Sequence, residues 1–114
     1  MNTRSSANEN SVGQMIAVFP NPPSIDLART LDLAGYRWKA VSSADDASKS
    51  EPVEGWAGAV VMCDEDPEGG WAICRSLRKN DNPVGHVLVL VSGAQLADLE
   101  MRDDLYDDFC LAPF

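Results

Sequence analysis

Ala57-Gly58-Ala59-Val60-Val61-Met62-Cys63 is apolar from end to end, and Asp64 to Gly70 follows as an acidic stretch containing Pro67 and two glycines. A strand with one wet face alternates; an unbroken apolar run of this length reads as a strand covered on both faces. Such a strand belongs in the middle of a sheet with helices above and below it, and the acidic stretch reads as a loop. His86 to Val91 repeats the pattern and is closed by Ser92-Gly93. Met15 to Phe19 gives a third apolar run, ended by Pro20-Asn21-Pro22-Pro23. Phe109 to Ala112 is a last short strand.

Helical periodicity fills the intervals. Ser24 can cap a helix whose Leu27, Ala28, Leu31 and Ala34 recur at helical spacing, with Gly35 supplying a left-handed stop. Tyr36 to Val41 sets Tyr36, Trp38 and Ala40 against Arg37 and Lys39, the alternation of a half-solvated strand suited to a sheet edge. Ala44 to Glu54 carries mostly charge and then Pro52, so its helix is short and weakly held. Trp71 to Lys79 places Ile73, Cys74 and Leu77 on one stripe, and Asn80-Asp81-Asn82-Pro83 stops that helix. Gln95 to Leu105 has Leu96 and Leu99 on one face amid acids. The order β-α-β-(α)-β-α-β-α-β, with short connections, packs comfortably only as a parallel sheet between two helical layers.

The 114 residues suit one domain, with Met1–Gln14 a polar tail and Met15–Phe114 the folded unit. Eighteen acidic residues against nine Lys and Arg give a net charge of −9, which repels phosphate backbones and anionic lipid surfaces. Direct nucleic-acid binding and membrane association are therefore not expected. The apolar runs are too short for the roughly 20 residues of a membrane-spanning helix, and Met1–Gln14 has no apolar signal core, which together suggest a cytoplasmic protein. Three cysteines, Cys63, Cys74 and Cys110, lie in apolar stretches without metal or redox spacing and read as reduced core residues. With His86 the only histidine, a Cys/His zinc site lacks ligands.

Open parallel sheets bind ligands beyond the carboxyl ends of their strands, which points to the loops at Pro20–Pro23, Asp64–Gly70, Ser92–Ala94 and Ala112–Phe114. Asp107-Asp108-Phe109-Cys110-Leu111-Ala112-Pro113-Phe114 is similar to the end of the receiver domain of two-component response regulators, with its acidic pair, aromatic, strand and closing Lys-Pro-Phe. Ala34-Gly35-Tyr36 resembles the close of that family's first helix. Cys74-Arg75-Ser76-Leu77-Arg78 resembles its third helix, and Ser92 its hydroxyl after strand four. The resemblance runs from Met15 to Phe114. It implies a flavodoxin-like three-layer sandwich whose five-stranded parallel sheet has the order 2-1-3-4-5. It also implies a cis Ala112-Pro113 bond, and a fifth helix that should follow Phe114 and is absent from this chain. Removing that helix would bare apolar sheet near strands one and five, which fits either a cut piece of a longer regulator, the reading we favour, or a self-associating domain.

The departures from the family bear on function. A working receiver needs an acidic pair after strand one for Mg²⁺, an Asp ending strand three to accept phosphoryl, a hydroxyl after strand four and a Lys after strand five. Here the acidic pair becomes Pro20-Asn21 and the Lys becomes Ala112, while Ser92 is retained. The acceptor position falls on Met62 counting back from Cys74-Arg75 and on Cys63 counting along the strand. A shortened loop would bring in Asp64, the sole residue of the three with the chemistry. The expectation is a degenerate pocket of Pro20, Asn21, Met62, Cys63, Ser92 and Ala112, with no catalytic residue, metal or cofactor. Weak Mg²⁺ binding would arise only if Asp64 still accepts phosphoryl.

Other constellations carry less. Asp64, Asp66, Glu68 and Gly69 imitate the opening of a calcium loop, but its twelfth position holds Arg75 rather than a bidentate Glu. Gly69-Gly70 lacks the wider pattern of a phosphate cradle. His86 reads as a structural histidine, and Trp38, Trp56 and Trp71 as core or edge packing rather than interface anchors. In receivers of winged-helix transcription regulators the fourth helix, fifth strand and fifth helix form the dimer face. The resemblance thus makes Asp98, Arg102, Asp104, Asp107 and Phe109 interface candidates, toward a protein partner or a second copy. The leading expectation is the regulatory half of an orphan response regulator that controls transcription through protein contacts, independently of phosphorylation, and not an enzyme. A phosphorylatable receiver using Asp64, and a stand-alone pseudo-receiver that sequesters a partner, are the alternatives.

Overall fold

In the computed structural model, residues 15–79 and 84–112 are described. The elements are β1 (Met15–Phe19), α1 (Ile25–Leu33), β2 (Arg37–Ala40), α2 (Ala44–Lys49), β3 (Gly58–Met62), α3 (Pro67–Lys79), β4 (Val87–Val91), a 3₁₀ turn at Gly93–Gln95, α4 (Leu96–Met101) and β5 (Asp108–Leu111). All strand pairs are parallel, in the order β2-β1-β3-β4-β5, as the sequence pattern implied. The expected stop at Asn80–Pro83, the polar tail and the Ala112-Pro113 bond lie outside the described residues.

Parallel registers place paired residues on the same side, so the sheet's two faces can be read strand by strand. One face carries Ala17 and Phe19 of β1, Ala59 and Val61 of β3, and Val87, Val89 and Val91 of β4. These join Ala47, Trp56, Trp71, Ile73, Cys74, Leu77, Val84, Leu99 and Leu105 in one buried cluster beneath α2, α3 and α4. The other face carries Val18, Val60, Met62, Leu88, Leu90 and Cys110. Of the described helices only α1 lies there; its Leu27 and Leu31 approach Val60 and Leu88. The uncovered sheet is therefore over β3, β4 and β5. On β1, expected to be bared, Val18 is fully buried.

Local chemistry accounts for the element ends. The Ser24 hydroxyl accepts the Leu27 N–H at 3.1 Å, and Gly35 takes φ +85° where α1 turns back, as the sequence anticipated. Helix α3 begins at Pro67, not at Trp71. Asp66 caps it, its Oδ1 accepting the Gly69 N–H at 3.1 Å, and Pro67 occupies the first helical position, where no amide donor is missed. The two glycines suggested a loop; the Asp-Pro start outweighs them. Gly70 is needed for packing, since a Cβ there would lie 2.6 Å from Cys63 Sγ.

Other expectations shift at their edges. Helix α4 is short, with Leu99 buried but Leu96 exposed, because the 3₁₀ turn rotates the stripe relative to one continuous helix. Strand β2 is the half-exposed edge expected, with Trp38 Nε1 donating to Asp32 Oδ1 of α1 at 2.8 Å. Trp56 and Trp71 are core residues. His86 is exposed at the mouth of β4, where its carbonyl accepts the Ala59 N–H, so its side chain is not enclosed in the core. Cys110, expected in the core, is exposed because β5 is an edge strand whose four residues all face solvent. Among the described residues no helix is long and apolar enough to cross a membrane.

Candidate functional site

Beyond the carboxyl ends of β1 and β3 lies a cleft of about 350 Å³, lined by the Phe19–Ser24 turn, Ser42 after β2, Met62, and the β3–α3 loop residues Asp64, Glu65 and Asp66. The sheet order puts it there: β1 is central and flanked by β2 and β3, so the three loops leaving these strands converge. The turn from β1 is stiff, with cis peptide bonds at both Phe19-Pro20 and Asn21-Pro22.

Of the residues singled out from the sequence, Pro20, Asn21, Met62 and Asp64 meet in this cleft. Met62 and Asp64 are two residues apart at the end of β3 and share a side. Cys63, between them, points the opposite way into the core, where it is fully buried against Gly70. Burial, with Cys74 as a weaker neighbour, pushes the Cys63 thiol up to about 12; burial does the same to Cys74. Ser92 and Ala112 do not line the cleft. Ser92 instead opens the 3₁₀ turn, its N–H donating to Gln95 Oε1 at 3.0 Å, and the Ala112 N–H bonds the Val91 carbonyl at 2.9 Å.

Sequence reading missed two features of the site. Gln95 is buried, and its Nε2 donates to the Cys63 carbonyl at 2.6 Å, tying the end of β3 to the end of β4. Ser92-x-x-Gln95 is a capping-box spacing that would have flagged it. Asp66 and Glu65 were read as part of one undifferentiated loop, whereas the cap formed by Asp66 fixes where that loop ends. Ser24 and Ser42 border the cleft as cap residues of their helices; Asp46 Oδ2 accepts both the N–H and the hydroxyl of Ser42, at 2.9 and 3.2 Å. The Ser42 amide bond, ahead of the smaller hydroxyl contributions, holds the Asp46 carboxyl below its ordinary range.

The electrostatics of the cleft run in one direction. Three carboxylates, an amide and two hydroxyls line it, with no Lys, Arg or His among the lining residues. Asp66 is engaged in its cap, while Asp64 Oδ1 is buried without a hydrogen-bond partner. A phosphoryl group entering here would meet negative charge with no fixed cation to offset it. A divalent cation would find carboxylates on the β3 side alone, opposite a proline and a neutral amide. Among the described residues no group of three or more His, Cys, Asp or Glu is placed to hold a metal. The side chains present do not fit a preformed Mg²⁺ site.

The residues considered for an interface cluster on and around α4 and β5. Asp98 and Arg102 form an i,i+4 pair at 3.5 Å, and the Arg102 guanidinium lies 5.4 Å from the Trp71 ring centroid. Phe109 meets Tyr106 edge to face at 6.2 Å, and the Tyr106 hydroxyl donates to the Leu99 carbonyl at 3.0 Å. Asp104 is exposed. Asp107 is committed internally: its Oδ2 accepts both the Val87 N–H and Arg78 Nη2 at 2.8 Å, which joins α3, β4 and the start of β5.

No protein-family model matches the sequence, and no curated protein matches it. Solved structures do. The receiver domain of a sensor histidine kinase from Pseudomonas aeruginosa, with a magnesium ion coordinated in its active site cleft, is 21% identical, with a TM-score of 0.67 over 90% of this chain and 88% of that one. The signal receiver domain of a signal transduction histidine kinase from Syntrophus aciditrophicus is 21% identical, with a TM-score of 0.65 over 89% and 80%. A response regulator receiver protein from Burkholderia phymatum is 16% identical, with a TM-score of 0.63 over 89% and 84%. The chain has the flavodoxin-like fold of receiver domains.

Proposed function

We propose that the chain is a receiver-like regulatory domain of two-component signalling that acts through protein contacts rather than through its own phosphorylation. The observation that carries this reading is the composition of the cleft. Pro20, Asn21 and Met62 stand where charge is needed, and none of the lining side chains is cationic. Preorganised charge is typically the largest contribution to phosphoryl transfer, each contact being worth several kcal/mol, on the order of 3. A fold kept without that charge supplies surface. In this reading the domain is cytoplasmic and belongs to a transcription regulator, and the α4–β5 side meets a protein partner or a second copy. Winged-helix regulators are the class favoured by the residues that resemble them. The test is incubation with acetyl phosphate and Mg²⁺ followed by intact mass spectrometry: the unmodified mass supports the proposal, and a stoichiometric phosphate adduct contradicts it.

One observation favours a second reading. Asp64 Oδ1 is buried in the cleft without a partner, which is costly for a carboxylate and is the kind of group a ligand would satisfy. A phosphorylatable receiver using Asp64 would give the adduct in that experiment and lose it on Asp64→Asn.

A further inference from the structure

The sheet face shared with α1 carries a groove of about 750 Å³ between that helix and the edge strand β5. Its floor is Val60, Met62, Leu88, Leu90 and Cys110, and Leu27 and Leu31 of α1 form one wall. From β3 to β5 is two strand spacings, about 9.6 Å, close to the diameter of one α-helix, about 10 Å. Five-residue strands run about 16 Å, the length of some 11 helical residues. The opening is thus as wide as one helix and as long as three turns.

The rim has a sign. Asp26 and Asp64 line the groove, no Lys, Arg or His does, and Asp108 lies on the same face through its register with Leu88. A second copy, itself at −9, would bring like-charged rims together. Within this chain the undescribed stretches supply no apolar stripe: Met1–Gln14 has only Met1, Ala7 and Val12 as apolar side chains, and Asn80–Pro83 has none beyond its proline. We propose that this groove is the docking site for an amphipathic helix of another protein, about three turns long, with an apolar stripe flanked by Lys and Arg. Because Ser24, Met62 and Asp64 border both groove and cleft, the docked helix would also cap the cleft. The proposal does not rest on the phosphorylation state of Asp64.

Cys110 reports occupancy. It is the exposed thiol of the three, whereas Cys63 and Cys74 are buried with thiols pushed up to about 12. Modification of the 114-residue protein by Ellman's reagent is followed with two synthetic helical peptides that share a Leu stripe, one flanked by Lys and Arg, the other by Glu. The basic peptide is expected to slow Cys110 modification at least tenfold at saturation, and the acidic one to leave it unchanged. Asp26→Lys, an exposed change that leaves the groove floor intact, should weaken protection by the basic peptide several-fold, and Leu88→Glu should abolish it with the circular dichroism preserved. Equal protection by both peptides, no protection by either, or protection that rises with protein concentration in the absence of peptide and marks a second copy in the groove, would each overturn the proposal.

Discussion

Replacing Gly70 by Ala tests how tightly α3 is pressed onto β3. The added methyl would lie 2.6 Å from Cys63 Sγ and 3.2 Å from Val61 Cγ1, both on side chains almost wholly buried. A sulfur and a methyl in contact need more than an ångström beyond that, so either the helix lifts or Cys63 turns. Overpacking of this kind costs about 1–3 kcal/mol. Ala is the better helix former by up to about 1 kcal/mol, less in a first turn, which offsets part of the cost. The net expectation is a loss of about 1–2 kcal/mol, a fall in Tm of roughly 5–10 °C for a domain of this size. The assay is thermal or urea unfolding of Gly70→Ala, Cys63→Ala and the double variant. If the clash with sulfur is the cause, the double variant is more stable than Gly70→Ala alone, and the cycle shows a favourable coupling of about 1 kcal/mol. A Gly70→Ala protein that melts higher than the parent, or an additive cycle, would refute the reasoning.

Two further changes probe the joints of the sheet. Gln95→Ala leaves the Cys63 carbonyl and the Ser92 amide without their side-chain partner, and urea unfolding should show a loss of about 1–3 kcal/mol. Asp107 is held below the usual carboxylate range, first by the Val87 amide and then by Arg78, so its contribution is complete above about pH 4 and is lost as pH falls through its depressed value. Asp107→Asn should lower stability by about 1 kcal/mol at neutral pH and flatten the acid limb of Tm against pH below about 4. An acid limb identical to the parent's would show that Asp107 is not the group responsible.

Periodicity carried the architecture, and it did so because burial on two faces writes itself into composition. The runs at Met15–Phe19, Gly58–Met62 and Val87–Val91 are apolar because helices or neighbouring side chains cover both of their sides, which places them inside the sheet. The alternation at Arg37–Ala40 marked an edge for the opposite reason. What stayed hidden depended on partners distant in sequence. Gly69 and Gly70 read as loop because propensity is local, whereas the need for a bare Cα at Gly70 is set by Cys63, which no window around α3 contains. Asp107 looked like part of a solvated acidic run, yet its partners are 20 and 29 residues away, at Val87 and Arg78. The exposure of Cys110 follows from β5 having no neighbour beyond it, a fact of topology rather than of its apolar flanks.

The candidate site was legible in part for the same reason. Loop positions after β1 and β3 follow from strand ends, so Pro20, Asn21, Met62 and Asp64 were found; side-chain direction at Cys63 follows from a one-residue offset that counting could not settle. The lack of cationic lining was visible at Ala112 alone, and the structure extends it to the whole cleft.

The central claim, that this cleft cannot hold a phosphoryl group with its metal, is tested most directly by fluorine NMR with beryllofluoride and Mg²⁺. The account predicts free fluoride species only and unchanged protein resonances. A bound fluorine signal that requires Mg²⁺ and vanishes in Asp64→Asn would contradict it.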